Sequence, residues 1–242
     1  MKKTLGKLPD SAFGLLTLPR LPATVLEGFR ALEDLTGTTS DAMDELGIVG
    51  AVPGSALRPS NPKARVVAQA VTILNRRRKE PVPKAVKSGI SGLGEIEAHH
   101  LAEPGDILVI QGIAGISSMG GVSASVGKRQ QEAGAIVDGA VRDIDHSRSI
   151  GYPVWSSSVS PVTGKWRIRT MAINKPVKIC GVAVRAGDLV VADECGVCFV
   201  PYQRAAEVLK VAQQLAVSEK KRLDRLATGI TVAEFSAIPR KS

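Results

Sequence analysis

Apolar positions along the chain fall into short dense runs and helical stripes, separated by polar and glycine-rich turns. Residues Ala64 to Leu74 (ARVVAQAVTIL) are β-branched and nearly all apolar, and they predict the first clear strand. Ile107 to Ile110 and Ala135 to Val137 are shorter runs of the same kind, and Val154-Trp155 begins another. Strand signals recur at 166–173, 176–180 and 182–184. Leu189 to Ala192 and Val197 to Val200, joined through Glu194-Cys195-Gly196, predict a hairpin. Helical spacing places Val25, Phe29, Leu32 and Leu35 on one face of a helix opened by Pro22. Thr39 or Ser40 is positioned to cap a short helix through Leu46. A long helix over about 202–228 carries Ala206, Leu209, Ala212, Leu215 and Leu223, Gly229 ends it, and a last short helix is expected over 231–237.

The remaining segments read as connections. Residues 1–22, with prolines and lysines around Leu15-Leu16-Thr17-Leu18, are expected to form a loose arm. Gly47, Gly50, Pro53 and Gly54 make a loop. Pro104-Gly105-Asp106 and Ala186-Gly187-Asp188 make turns, and 156–165 reads as a loop. Residues 84–103 stay undecided, because Gly89, Gly92 and Gly94 interrupt any long helix. Strands outnumber helices in the C-terminal half, helices flank both ends, and no composition break divides the chain. The expected architecture is α/β: a single layered α/β/β/α-type domain over residues 23–238, with flanking N- and C-terminal helices.

Composition narrows the class. With 242 residues, 44% hydrophobic and 3% aromatic, the core must be built from Val, Ile, Leu and Ala. The net charge of +9 invites a nucleic-acid reading. The basic residues are scattered, however, apart from Arg76-Arg77-Arg78-Lys79 and Lys220-Lys221-Arg222. Aromatics for base stacking are scarce and no nucleic-acid motif is present, so a solvated basic face is the expectation, one that also attracts an anionic substrate. Three cysteines argue against a disulfide framework. No apolar run approaches the length of a membrane span, and no N-terminal apolar segment suggests export. A soluble, cytoplasmic protein is expected.

The richest stretch is 117–147, SSMGGVSASVGKRQQEAGAIVDGAVRDIDHS. Small residues at Ser117, Ser118, Gly120 and Gly121 let the backbone approach a ligand. A helix over 122–133 follows, so its free N–H groups point into the turn. After the strand 135–137, Asp138-Gly139 is expected to turn the chain and present Arg142 beside Asp143. Anion-binding amides, a fixed cation and a carboxylate able to hold a metal thus lie within one short stretch. That set suits a small carboxylate held near a divalent ion. The bland alternatives are a surface ion pair, or Asp143 capping a helix over 143–150. Gly120-Gly121-Val122-Ser123 matches neither the dinucleotide fingerprint nor the P-loop spacing.

Other chemistry-bearing residues are weaker. Cys195 and Cys198 have CxxC spacing, but Cys180 stands alone, a zinc site lacks its second pair, and two small buried cysteines are expected. The adjacent His99 and His100 must point in different directions. His146 lies three residues past Asp143, on the same helical face. Glu219, in Ser218-Glu219-Lys220-Lys221, sits on the long C-terminal helix, where a charged solvent face is the default.

Gly120-Gly121-Val122-Ser123 followed by Val137-Asp138-Gly139-Ala140-Val141-Arg142-Asp143 resembles the RraA-like family. That family includes the class II 4-hydroxy-4-methyl-2-oxoglutarate / 4-carboxy-4-hydroxy-2-oxoadipate aldolases and the regulator of ribonuclease activity A. Thr39-Ser40-Asp41-Ala42-Met43, Pro104-Gly105-Asp106-Ile107-Leu108-Val109, Gly151-Tyr152-Pro153-Val154 and the stretch from Gly187 to Pro201 extend the resemblance over about residues 25 to 235. It implies that Asp143 is the one direct protein ligand of Mg2+ or Mn2+, with waters completing the shell. Arg142 becomes the arginine that binds the substrate carboxylate and enolate, and the backbone of Gly120 to Ser123 becomes the cradle for its pyruvate part. The family's sites lie between subunits of a trimer, often paired into a hexamer, with a glutamate from the neighbour's C-terminal helix, here matched to Glu219. One departure stands out. The family's aldolases usually carry Asp or Glu after the first cradle glycine, where this chain has Gly121. Ser123 and His146 are the neighbouring groups able to take over proton transfer.

The resemblance therefore implies a metal-dependent carbon–carbon lyase, an aldolase and oxaloacetate decarboxylase acting on a small 2-oxo acid through a pyruvate enolate. The rival is a non-catalytic interaction protein that regulates a ribonuclease. A third label attached to the family, demethylmenaquinone methyltransferase, finds no S-adenosylmethionine motif in this chain.

Overall fold

The structure, a computed structural model, describes residues 2–238. Two helices open it, α1 (Ala23–Arg30) and α2 (Leu35–Glu45), followed by short strands β1 (Ala51–Pro53) and β2 (Arg58–Pro59) and the long β3 (Val66–Arg77). Then come α3 (Val82–Ser88), α4 (Glu95–Leu101), β4 (Ile107–Gln111), β5 (Ser117–Met119), α5 (Gly121–Arg129), β6 (Gly134–Val141), α6 (Ile144–Ser149) and β7 (Val154–Val159). The C-terminal part holds β8 (Ile168–Ile173), β9 (Val177–Ile179), β10 (Val182–Val184), β11 (Leu189–Ala192), β12 (Gly196–Val200), α7 (Ala205–Ala227) and α8 (Val232–Ser236).

β3 joins two sheets into one ten-stranded arrangement. Its first half pairs antiparallel with β11, which continues to β12 and β1. Its second half runs parallel to β4, which continues to β6 and β7. Alternation along the strands sorts the core into three layers. Val66, Ala68, Ala70, Ile107, Val109, Ile136 and Val190 point into a central cluster between the sheets, closed by Trp155. Val67, Leu189, Val191 and Val200 point the other way, onto α1, α2 and α7. Val71, Ile73, Leu108, Ile110 and Val137 face α4 and α5. This is the expected layered α/β/β/α architecture. The strand runs read as continuously apolar because both of their faces are covered.

Several boundaries differ from expectation. The first helix stops at Arg30, and α2 starts at Leu35 with Asp34 as its cap, accepting from Gly37 N. Thr39 is an interior residue whose hydroxyl bonds back to Leu35 O at 2.7 Å. Asp138-Gly139 does not turn the chain: β6 runs from Gly134 to Val141, and the pair sits where its register with β7 shifts. Residues 156–159 continue β7 rather than forming a loop. The undecided segment 84–103 resolves into α3 and α4. Residues 2–22 have little regular structure but are tied down. Buried Glu97 accepts from Leu5 N at 2.8 Å and Lys7 N at 2.6 Å, Arg20 pairs with buried Asp106, and Leu18 and Leu21 are buried.

Candidate active site

The site starts from the end of β6. β5 lies parallel beside that end, and Arg142 N donates to Met119 O at 3.1 Å. The chain therefore leaves β5 at Gly120, turns into α5 at Gly121, and meets Arg142 and Asp143 across a few ångströms. Asp143 occupies left-handed backbone at φ 56, ψ 40, a conformation Asp tolerates better than most residues. It holds the N-cap position of α6 but makes no cap hydrogen bond, which corrects the capping alternative. Its carboxylate turns to α5 instead: Gly121 N donates to Oδ2 at 2.9 Å, with Arg142 Nε 3.6 Å from the same oxygen. Both side chains stay partly open, with 35% of Arg142 and 47% of Asp143 exposed.

Gly120 is required by this approach. A Cβ there would lie 2.8 Å from Asp143 Oδ2 and 3.1 Å from Arg142 Nε. Gly120→Ala is expected to displace the pair, not to unfold the chain, because the obstructed atoms are side-chain ends. A shift near 1 Å in reacting groups costs on the order of 100-fold in rate. Turnover compared with the melting curve checks this, and an unchanged rate would contradict it.

The cleft in front of the pair has a volume of about 140 Å³, a size for a small molecule. Gly120 to Ser123, Arg142 and Asp143 all line it, so the expected cradle residues come together. Lys165 adds a second cation, and Glu95 and Ser118 add polar groups. Glu95 Oε2 and Ser118 Oγ are buried without a hydrogen-bond partner among the described residues. Burial raises the Glu95 carboxyl above its ordinary range, only partly offset by its backbone hydrogen bond, His99 and Lys165.

Behind the cradle lies a buried polar chain. Ser123 Oγ is 2.7 Å from His99 Nε2, and His99 Nδ1 is 2.8 Å from Glu132 Oε1. The Tyr152 hydroxyl donates to Glu132 Oε2 at 2.7 Å and also lies 2.9 Å from Gly134 O. Burial first, then the Glu132 charge, holds the Tyr152 phenol well above its ordinary value, so it stays a donor. Gly127 makes room: a Cβ there would lie 2.6 Å from both Glu132 Oε2 and the Tyr152 hydroxyl.

The other expected residues separate. His146 is exposed, with Nε2 2.8 Å from Ser125 Oγ, and its ring fills the space a side chain at Gly121 would enter, 3.1 Å from a Cβ there. Glu219 lies on α7, exposed, facing a groove lined by Asp34 and Thr38 and not the cleft of the same chain. His99 points inward and His100 outward, to Lys3 O at 2.9 Å, as the adjacent pair required. Cys198 is buried, its thiol pushed up to about 12 by burial and then by Asp193. Cys195 is exposed, against expectation, because it sits in the β11–β12 turn, and the Asp193 charge raises its thiol. Neither is primed as a thiolate. Among the described residues, no group of three or more His, Cys, Asp or Glu is placed to hold a metal. A hydrated ion on the single Asp143 carboxylate fits that donor set. Its Oδ1 has no protein hydrogen bond among the described residues, and Mg2+ and Mn2+ keep most of their waters.

Glu95, Lys165 and the His99–Glu132 pair were not foreseen at the cleft. Glu95 and His99 are four residues apart, hence on one face of α4, but the glycines before them hid the helix. No local signal in the sequence marks Glu132 or Lys165.

Comparison with known proteins bears on the family and the fold. The RraA-like family profile (Aldolase/RraA) matches residues 36–199. Protein DlpA of Legionella pneumophila is 27% identical over 199 residues, 81% of this chain, although the chain spans only 31% of that protein's length. A Halalkalibacterium halodurans protein with the provisional name 4-hydroxy-4-methyl-2-oxoglutarate aldolase is 30% identical over 77% of this chain and 82% of its own. The crystal structure of Streptomyces coelicolor RraAS2, described as an unusual member of the RNase ES inhibitor RraA protein family, superposes with a TM-score of 0.69 at 25% identity. The match covers 86% of this chain and 99% of that one.

Proposed function

The chain belongs to the RraA-like family, and from that premise we propose that it is a divalent-metal-dependent lyase that cleaves a 2-oxo acid through a pyruvate enolate. One observation carries the reading. Arg142 and Asp143 and the first turn of α5 line one cleft of about 140 Å³, with Gly121 N donating to Asp143 Oδ2. Substrates of the 4-hydroxy-4-methyl-2-oxoglutarate type, and oxaloacetate, share the 2-oxo acid part that such a cleft takes.

Asp143 holds the Mg2+ or Mn2+ ion, whose chemistry when bound is Lewis-acid stabilisation of developing oxygen charge. The α5 amides after Gly121 donate to the substrate carboxylate. Arg142 presents a planar fork to the carboxylate and to the oxygen that becomes negative in the enolate. Lys165 supplies a positive charge for the far carboxylate of a dicarboxylic substrate. Arg142→Ala is expected to lower pyruvate release from oxaloacetate by about 10²–10³-fold, the range for losing one oxyanion-stabilising group. A coupled pyruvate assay with added Mg2+ or Mn2+, and with chelator, tests the reading. Release that needs the ion and falls in Arg142→Ala supports it. Release that ignores both sinks it.

The partner is further copies of the same chain, as a trimer or hexamer. Val122 is 83% exposed at the cleft mouth, and Val159 is 66% exposed on the neighbouring strand, an apolar rim suited to cover by a second subunit. Glu219 reaches the site only from such a subunit. Sedimentation, with pyruvate release by Glu219→Ala, checks this arrangement.

A second reading, a non-catalytic regulator of a ribonuclease, draws on the likeness to the Streptomyces RraA-family protein. Co-precipitation with ribonuclease E, together with silent pyruvate assays, would favour it. Among the described residues no helix is long and apolar enough to cross a membrane.

A further inference from the structure

An aldol cleavage through an enolate moves one proton off the substrate hydroxyl and returns one to the enolate carbon. The position after Gly120 offers no acid for this, since residue 121 is a glycine. We propose that Ser123, with His99 and Glu132 behind it, is the proton relay of the cleft. The proposal rests on the lyase reading above.

The connectivity sets the direction of each hydrogen bond. Tyr152 donates to Glu132 Oε2 at 2.7 Å, which leaves Oε1 to accept from His99 Nδ1 at 2.8 Å. With its proton fixed on Nδ1, the neutral ring presents a lone pair at Nε2. Ser123 Oγ–H, 2.7 Å away, is its donor. As a donor to His99, Ser123 Oγ keeps its lone pairs for a substrate proton, and Ser123 lines the same cleft as Arg142 and Asp143. This is the base-and-orienter logic of an activated serine.

Burial decides between a nucleophile and a relay. His99 is 1% exposed and both ring nitrogens are engaged. It cannot swing out to protonate a leaving group, as acyl transfer by Ser123 would require. It can take a proton from Ser123 and give it back. In the forward step the C4 hydroxyl proton passes to Ser123 Oγ while the Ser123 proton moves to His99 Nε2. The C3–C4 bond breaks, C4 becomes a carbonyl, and the bonding pair enters the enolate. In the return step His99 Nε2–H restores the Ser123 proton as Ser123 delivers one to C3, and the C2 keto group re-forms. No proton or electron is left over. Ser123 is the catalytic residue, and His99 and Glu132 are positioning residues.

Decarboxylation supplies the test, because it makes the same enolate by losing CO2 and needs no base. Three rates are measured on the full chain with Mg2+. They are oxaloacetate decarboxylation, hydrogen–deuterium exchange at pyruvate C3 by proton NMR, and cleavage of 4-hydroxy-4-methyl-2-oxoglutarate. Ser123→Ala is expected to lower exchange and cleavage by about 100-fold or more, and to lower both far more than it lowers decarboxylation. Ser123→Thr, which keeps the hydroxyl, is expected to recover part of the loss. Nitrogen-15 NMR of the metal-free protein should find the His99 proton on Nδ1, with the Nε2 signal changed in Ser123→Ala. A wild type that both exchanges and decarboxylates, with Ser123→Ala equal to it, would overturn the relay alone. So would loss of exchange in Glu95→Gln but not in Ser123→Ala, or a His99 proton on Nε2. A wild type with neither activity would remove the lyase reading itself.

Discussion

Asp143→Ala is expected to bring Mg2+- or Mn2+-dependent pyruvate release down to the level seen with chelator. Among the described residues, Asp143 is the carboxylate that pairs with Arg142. Glu95 lies across the cleft with a raised carboxyl, and Asp145 is exposed on α6. A Lewis acid at the developing oxygen is worth several kcal/mol, so roughly 10³-fold in rate rests on this one side chain. The variant should fold. Asp143 is half-open and makes one hydrogen bond to Gly121 N. Its left-handed backbone is the one structural concern, since alanine adopts it less readily than Asp or Asn. Asp143→Asn keeps the shape and the backbone preference while removing the charge, and it should lose metal binding as well. Manganese binding followed by electron paramagnetic resonance reads the same residue without turnover. Full metal affinity in Asp143→Asn would move the ion's site elsewhere.

The architecture was legible because its signals are redundant. Val66 to Leu74, Ile107 to Ile110, Leu189 to Ala192 and Val197 to Val200 place apolar residues on both faces, as covered strands must. The layers followed from strands that outnumber helices with helices at both ends. The misses have local causes. Asp138-Gly139 looks like a turn, yet neighbours on both sides of β6 hold it in the sheet as a bulge. Thr39 and Ser40 look like caps, but Asp34 captures Gly37 N one turn earlier, and propensity yields to that bond. The arm 2–22 lacks an apolar period, so its anchorage on Glu97, Asp106 and Gln69 leaves no trace in the local pattern.

Half of the site was legible for the same reason. Gly120 to Ser123, Arg142 and Asp143 are close in sequence, and two strand ends bring them face to face. His99, Glu132 and Tyr152 come from three separate segments, joined by the hydrogen bonds that α4 and the turn before β7 each make to Glu132. Residue type alone made His99 and His100 equivalent, whereas the structure buries one against two partners and turns the other outward.

That buried chain carries the second large effect. Glu132→Ala is expected to destabilise the fold by about 3 kcal/mol or more, the cost of leaving a buried donor unpaired together with the cavity left by a buried side chain. Both Glu132 oxygens are used and its side chain is fully buried. Its removal strips His99 Nδ1 of its acceptor, while Tyr152 keeps Gly134 O. It also leaves a void between Gly127 and Tyr152, so an unsatisfied donor adds to lost packing. For a chain of this size, 3 kcal/mol lowers Tm by roughly 6–12 °C. Glu132→Gln should cost less, because its amide oxygen still accepts from His99 and the Tyr152 proton turns to Gly134 O. Tyr152→Phe should cost less again, since it removes one donor and leaves the His99 contact in place. Thermal melts of the three variants check the order. Equal melting temperatures for Glu132→Ala and wild type would mean that His99 finds another acceptor, and that Glu132 does not hold the ring toward Ser123.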